Sequence, residues 1–178
     1  MNLTFASYVT LLRILFIFPI GFFMYSDGFF NSILSLLFFI LASLTDYFDG
    51  YIARKTSTET EIGATLDLIA DKLLVLMVLI FLNIKIDDYV LLIFSAIIIL
   101  REIFLTILRQ FNSMKQRLKV RSLGKLKTLI QMISIGMLLV APHLGETFYS
   151  VALGILAAAA LLSAISFVDY LKQITEEN

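Results

Sequence analysis

The chain has no cysteine, a single histidine and only two prolines in 178 residues. Without cysteine there is neither a disulfide framework nor a thiolate metal site. The one histidine, His143, stands beside Pro142 in a short break between apolar runs, an interfacial loop position that does not suit a ligand. Charge is scarce as well. Charged residues make up 16% of the chain and hydrophobic ones 60%, against about a quarter charged in soluble proteins. Such a chain is an integral membrane protein. Its 14 basic and 14 acidic residues cancel, but they are distributed unevenly. The basic residues border apolar runs rather than interleave with aromatics, which excludes a nucleic-acid partner. The length fits one domain, 1–178, with no repeat or low-complexity stretch.

What is present is a series of apolar runs, at about 8–25, 30–54, 62–82, 89–108, 126–141 and 148–170, most of them near the roughly 20 residues that cross a bilayer. The expected fold is all-α with six transmembrane helices. The first run resembles a signal peptide in length only. It lacks a basic leader, Arg13 interrupts it and no small-residue cleavage site follows. Pro19 can kink it. Asp27-Gly28 and Lys85-Ile-Asp-Asp88 read as turns, 55–61 as a polar loop, and 172–178 as a polar tail. Ala157 to Ala160 allow close helix contact.

The side of the 55–61 loop, the 109–125 loop and both termini carries nearly all the Lys and Arg, while the opposite turns hold only Lys85. The positive-inside rule then puts both termini and those two segments in the cytoplasm of an inner-membrane protein. Most of the 109–127 cations would lie against anionic headgroups.

Four carboxylates break this apolar pattern. Asp46 and Asp49 are three residues apart, with Gly50, Ala53 and Arg54 following; Gly63, Asp67 and Asp71 are spaced by four. On helices each set shares a face. Carboxylates are costly in a bilayer, so their default reading is a functional site facing protein or water. Four oxygen donors without His or Cys suit hard cations such as Mg²⁺ or Mn²⁺, and a pair of such ions can clamp both oxygens of a phosphoryl transfer. A structural polar network and an ion or proton path are the other readings of the same residues. Lys72 either pairs with an acid, snorkels or touches substrate. Arg101 and Glu102 either neutralise one another or belong to a site.

Asp46-x-x-Asp49-Gly50-x-x-Ala53-Arg54, eight residues, then Gly63-x-x-x-Asp67-x-x-x-Asp71 resembles the signature of the CDP-alcohol phosphotransferase family at all eight fixed positions. Thr10-Leu-Leu-Arg13 is similar to a segment that opens many members, though Ala6-Ser7 stands where Pro-Asn often does. Ala70-Asp71-Lys72, Arg101-Glu102 with Arg109, and Gly124-Lys125-Leu-Lys127-Thr128 with Gln131 resemble the phosphatidylglycerophosphate synthase branch. Leu68 departs from the Pro usual there. The resemblance covers nearly the whole chain.

This resemblance implies transfer of a phosphatidyl group from CDP-diacylglycerol to glycerol 3-phosphate, with release of CMP. It implies two metals, Mg²⁺ or Mn²⁺, on Asp46, Asp49 and Asp67, with Asp71 as general base and further metal contact. Asp46, Asp49, Gly50, Ala53, Arg54, Gly63 and Asp67 would bind the nucleotide. Arg101, Arg109 and Lys125 would bind the acceptor phosphate, and the protein would be a homodimer among membrane lipids. The nearest alternative is a cardiolipin synthase of the same family, with phosphatidylglycerol as acceptor. From other classes, a carboxylate-lined cation carrier or a silent membrane partner leaves Gly50, Ala53 and Arg54 unexplained.

Overall fold

A computed structural model of the chain describes residues 5–56, 61–111 and 122–176, with side chains over 12–45, 69–70, 72–107 and 127–169 and at 172. These residues form six α-helices and no strand: α1 (Phe5–Tyr25), α2 (Phe29–Thr56), α3 (Glu61–Ile86), α4 (Tyr89–Phe111), α5 (Ser122–Val140) and α6 (Glu146–Glu176). A 3₁₀ turn, Ala141–His143, follows α5 and contains Pro142, which cannot continue an α-helix. Helix extends beyond the apolar runs at several ends. α2 reaches Thr56 and α3 starts at Glu61, so both ends of the expected 55–61 loop are helical, and 57–60 lie outside the described residues. α3 includes Lys85, and α6 runs on into the polar tail, where Lys, Gln and Glu are good helix formers without being apolar. Pro19 lies inside α1 without ending it.

Two compact units divide the chain, Met1–Lys85 and Ile86–Asn178. In the first, α1 packs along α2. Ile17, Ile20 and Met24 of α1, Phe39 and Ala42 of α2, and Leu74, Val78, Leu79 and Leu82 of α3 are buried. Phe38 stacks on Phe23 at 5.7 Å and lies tilted against Phe16 at 5.8 Å. The Ser35 hydroxyl, buried on α2, donates to the Ile20 carbonyl at 3.0 Å. Between α1 and α2, Gly28 takes φ +118°, a conformation open to Gly at little cost. Gly21 brings α1 close to α3: a Cβ there would stand 2.9 Å from the Phe81 ring. At the ends of these helices Tyr25 donates to the Phe81 carbonyl at 3.3 Å, and Lys85 donates to the Met24 carbonyl in the last turn of α1.

In the second unit α6 packs against both α4 and α5. Its small residues Ala152, Ala159 and Ala160 are fully buried, as the Ala run predicts in part; Ala158 is exposed. Small residues at a helix contact let backbones approach. Ser134 of α5 donates to the Ala152 carbonyl at 2.8 Å. Phe104 and Phe167 meet edge to face at 5.2 Å. Asp87 takes φ +50°, a left-handed conformation that Asp tolerates. Asp88 then caps α4, its Oδ1 accepting the Val90 N–H at 2.7 Å. Its Oδ2 accepts the Tyr149 hydroxyl at 2.5 Å. That bond first, and the Val90 N–H second, hold the Asp88 carboxyl below the usual carboxylate range.

Polarity is arranged inside out. Ser32, Ser35, Ser95, Ser134, Ser163 and Gln131 are buried together with Arg13, which is 0% exposed, while Phe18 and Phe30 are 72% and 70% exposed. Water would not favour that exterior, whereas lipid would. Two helical stretches, Tyr89–Ile107 and Glu146–Asp169, are long and apolar enough to cross a membrane, and Leu12–Tyr25, Phe29–Thr45 and Lys127–His143 are shorter apolar helices.

Candidate active site

The acid motif lies on two of these helices. Asp46, Asp49, Gly50, Ala53 and Arg54 fall in the C-terminal half of α2, and Gly63, Asp67 and Asp71 in the N-terminal half of α3. Their side chains lie outside the described residues, but the helix register gives their positions. Along α2 the buried residues are Ser32, Ser35, Phe39 and Ala42, separated by three, four and three. Continuing the same alternation reaches 46, 49 and 53. On α3, counting back by three and four from buried Ala70, Leu74 and Val78 reaches 71, 67 and 63. Positions 46, 49, 67 and 71 therefore fall at the helical spacing of the buried residues of each helix.

A donor set made only of carboxylates, with no thiol and no imidazole in the motif, fits a hard divalent cation such as Mg²⁺ or Mn²⁺.

Of the residues expected to meet the acceptor, Arg109 and Lys125 lie on α4 and α5, their side chains outside the described residues. Arg101 is described, and it is not alone. Its Nη1 donates to Glu102 Oε1 at 2.7 Å and its Nη2 to the Ser166 hydroxyl of α6 at 2.8 Å. The Ser166 hydroxyl in turn donates to the Ser163 carbonyl at 3.0 Å. Lys127 of α5 donates to the same Glu102 Oε1. Arg101 and Glu102 do neutralise one another, as one reading of the sequence has it, but within a larger group. Spacing alone does not single out Lys127 from Lys125, two residues earlier. The distinguishing signal is periodicity: 127, 131, 134, 135 and 138 form the buried stripe of α5, and 125 does not belong to it. His143 is exposed in its 3₁₀ turn, and Lys72 is half-buried.

Comparison with known proteins agrees with the motif. A profile of the CDP-alcohol phosphatidyltransferase family matches residues 3–168. A protein of Rickettsia typhi is 39% identical over 169 residues, 93% of this chain and 94% of the relative. One of Rickettsia bellii is 39% identical over 171 residues, 93% and 92% of the two chains. One of Wigglesworthia glossinidia brevipalpis is 38% identical over 144 residues, 78% and 77%. All three are named CDP-diacylglycerol–glycerol-3-phosphate 3-phosphatidyltransferase. Enzymes of this family depend in general on divalent metal. With the motif complete and the match running across both units, the chain belongs to the CDP-alcohol phosphatidyltransferase family.

Proposed function

We propose that this protein transfers the phosphatidyl group of CDP-diacylglycerol to sn-glycerol 3-phosphate, giving phosphatidylglycerophosphate and CMP. The observation that carries this reading is the near-full-length match to relatives named for that reaction. The register of positions 46, 49, 67 and 71 supports the chemistry.

Two Mg²⁺ or Mn²⁺ ions held by Asp46, Asp49, Asp67 and Asp71 would supply positive charge to the diphosphate oxygens. The remaining steps belong to the chain. Asp71 takes the proton of the acceptor hydroxyl as that oxygen bonds to the phosphorus carrying diacylglycerol. The bond from this phosphorus to the bridging oxygen breaks, and CMP departs with the electron pair. Gly50, Ala53 and Gly63 let the nucleotide approach the helices. Arg54 presents a planar donor fork to a phosphate oxygen. Arg101, Arg109 and Lys125 bind the acceptor's phosphate, a dianion that calls for cations.

All of 1–178 acts as one catalytic domain and works as a homodimer. Its six helices are six spans, with both termini and the acid motif on the cytoplasmic side of the inner membrane. The apolar exterior and the one-sided Lys and Arg distribution support this topology.

The test is CMP release by purified protein in detergent–lipid micelles with CDP-diacylglycerol and Mg²⁺ or Mn²⁺. Release that requires glycerol 3-phosphate, and disappears in Asp71→Asn, is the expected result. Release only with phosphatidylglycerol would move the reaction to cardiolipin synthesis. No release with any acceptor, from folded protein, would overturn the proposal.

A further inference from the structure

Arg101 and Glu102 are consecutive on α4, and their side chains pair at 2.7 Å. A guanidinium so close to a carboxylate presents little net charge to a third ion, which is a poor start for a phosphate ligand. The structure puts a second cation on the same carboxylate oxygen. Lys127 reaches Glu102 Oε1 from α5, and the three side chains together carry one net positive charge.

Exposure separates their roles. The side chain of Lys127 is 3% exposed and that of Glu102 11%, against 15% for Arg101. Lys127 is enclosed and Arg101 is the most open of the three. Ser166 holds Nη2 of the guanidinium while Glu102 holds Nη1, and Nε is buried without a hydrogen-bond partner. Arg101 is thus fixed at two points and retains donors beyond those two bonds.

We infer that Lys127 and Glu102 are positioning residues of the acceptor subsite: Glu102 orients Arg101, and Lys127 offsets the charge of Glu102 so that Arg101 still attracts an anionic phosphate. The inference rests on the reading above that Arg101 is a ligand of the acceptor phosphate. A cluster that only ties α4 to α5 and α6 has the same contacts but makes no distinction between substrates.

Charge arithmetic supplies the test. Lys127→Met keeps an unbranched apolar stem and leaves Arg101 and Glu102 as a neutral pair. Glu102→Gln keeps an acceptor oxygen and removes the negative charge. The double variant K127M/E102Q restores one net positive charge. Steady-state CMP release by the full-length protein in micelles is measured with each substrate varied in turn, alongside thermal unfolding.

Lys127→Met should raise KM for glycerol 3-phosphate about tenfold, the scale of one charge-assisted contact, and leave KM for CDP-diacylglycerol unchanged. Glu102→Gln, which weakens the hold on Arg101 but adds net positive charge, should raise it less than Lys127→Met does. The double variant should return it to within about threefold of wild type, whatever its melting temperature, because only the net charge is restored. Three results would overturn the inference: an unchanged acceptor KM in Lys127→Met, a double variant as poor as Lys127→Met, or a rise in both KM values that tracks lost stability. Should Lys127→Met not fold, Lys127→Gln carries the same test, with the acceptor KM expected to rise about tenfold and an unchanged one overturning the inference. Wild-type protein that releases no CMP with glycerol 3-phosphate removes the acceptor reading itself, before any variant is compared, and the inference with it.

Discussion

Tyr149 of α6 donates its hydroxyl to Asp88 at 2.5 Å, and the other oxygen of Asp88 caps α4 at Val90. One carboxylate outside the apolar stretches thus closes a helix start and ties a second helix to it. Asp88→Ala removes the cap and leaves the Tyr149 hydroxyl without this partner. It should destabilise the protein by about 0.5–2 kcal/mol, the usual range for a lost cap. Thermal unfolding in micelles measures this, and an unchanged melting temperature would count against the capping role.

The same residue gives a pH dependence of known sign. The Asp88 carboxyl is held below its ordinary range, so folding favours its ionised form. Its contribution is full above the ordinary carboxylate pKa and is lost as pH falls through the lowered one. The stability difference between wild type and Asp88→Ala should be flat at neutral pH and shrink in acid. Tyr149→Phe removes the largest cause of the shift, so in that variant the loss should be smaller and be complete at a higher pH.

Close packing of Gly21 on Phe81 predicts a non-additive pair. Gly21→Val places new atoms where the Phe81 ring lies, 2.9 Å from an added Cβ, and overpacking of this kind costs about 1–3 kcal/mol. Adding Phe81→Leu should recover part of the loss. Two losses that simply add would show that the ring is not the obstacle.

Lys85 and the end of α1 offer a smaller effect. The ammonium donates to the Met24 carbonyl in the last helical turn, where the helix dipole favours a cation. Lys85→Met should cost about 0.3–1 kcal/mol, with CMP release per folded molecule unchanged.

Metal removal tests the carboxylates. Chelation with EDTA should abolish CMP release, and Mg²⁺ or Mn²⁺ should restore it in wild type but not in Asp67→Asn. Release that persists after chelation would remove these acids from the metal site.

The helices and the acid motif were legible in the sequence because each rests on local periodicity. Long apolar runs need no partner to be recognised, and Asp46 with Asp49, or Asp67 with Asp71, share a face by spacing alone. Lys85 reads as part of a turn but lies in α3, since its carbonyl partner is 61 residues away and no short-range pattern points to it. The burial of Arg13 was equally hidden: a charge within an apolar run reads as an interruption until neighbouring helices enclose it. In the sequence Lys127 reads as one more cation of the 109–127 segment, because its distinguishing contact, Glu102, comes from another helix.

Arg101 and Glu102 are neighbours on α4, so they leave the helix about 100° apart, yet one engages Ser166 of α6 and the other Lys127 of α5. Two adjacent side chains with divergent partners act as a torsional lock. Turning α4 about its own axis in either direction strains both links at once. Its azimuth is pinned from two sides by a single dipeptide.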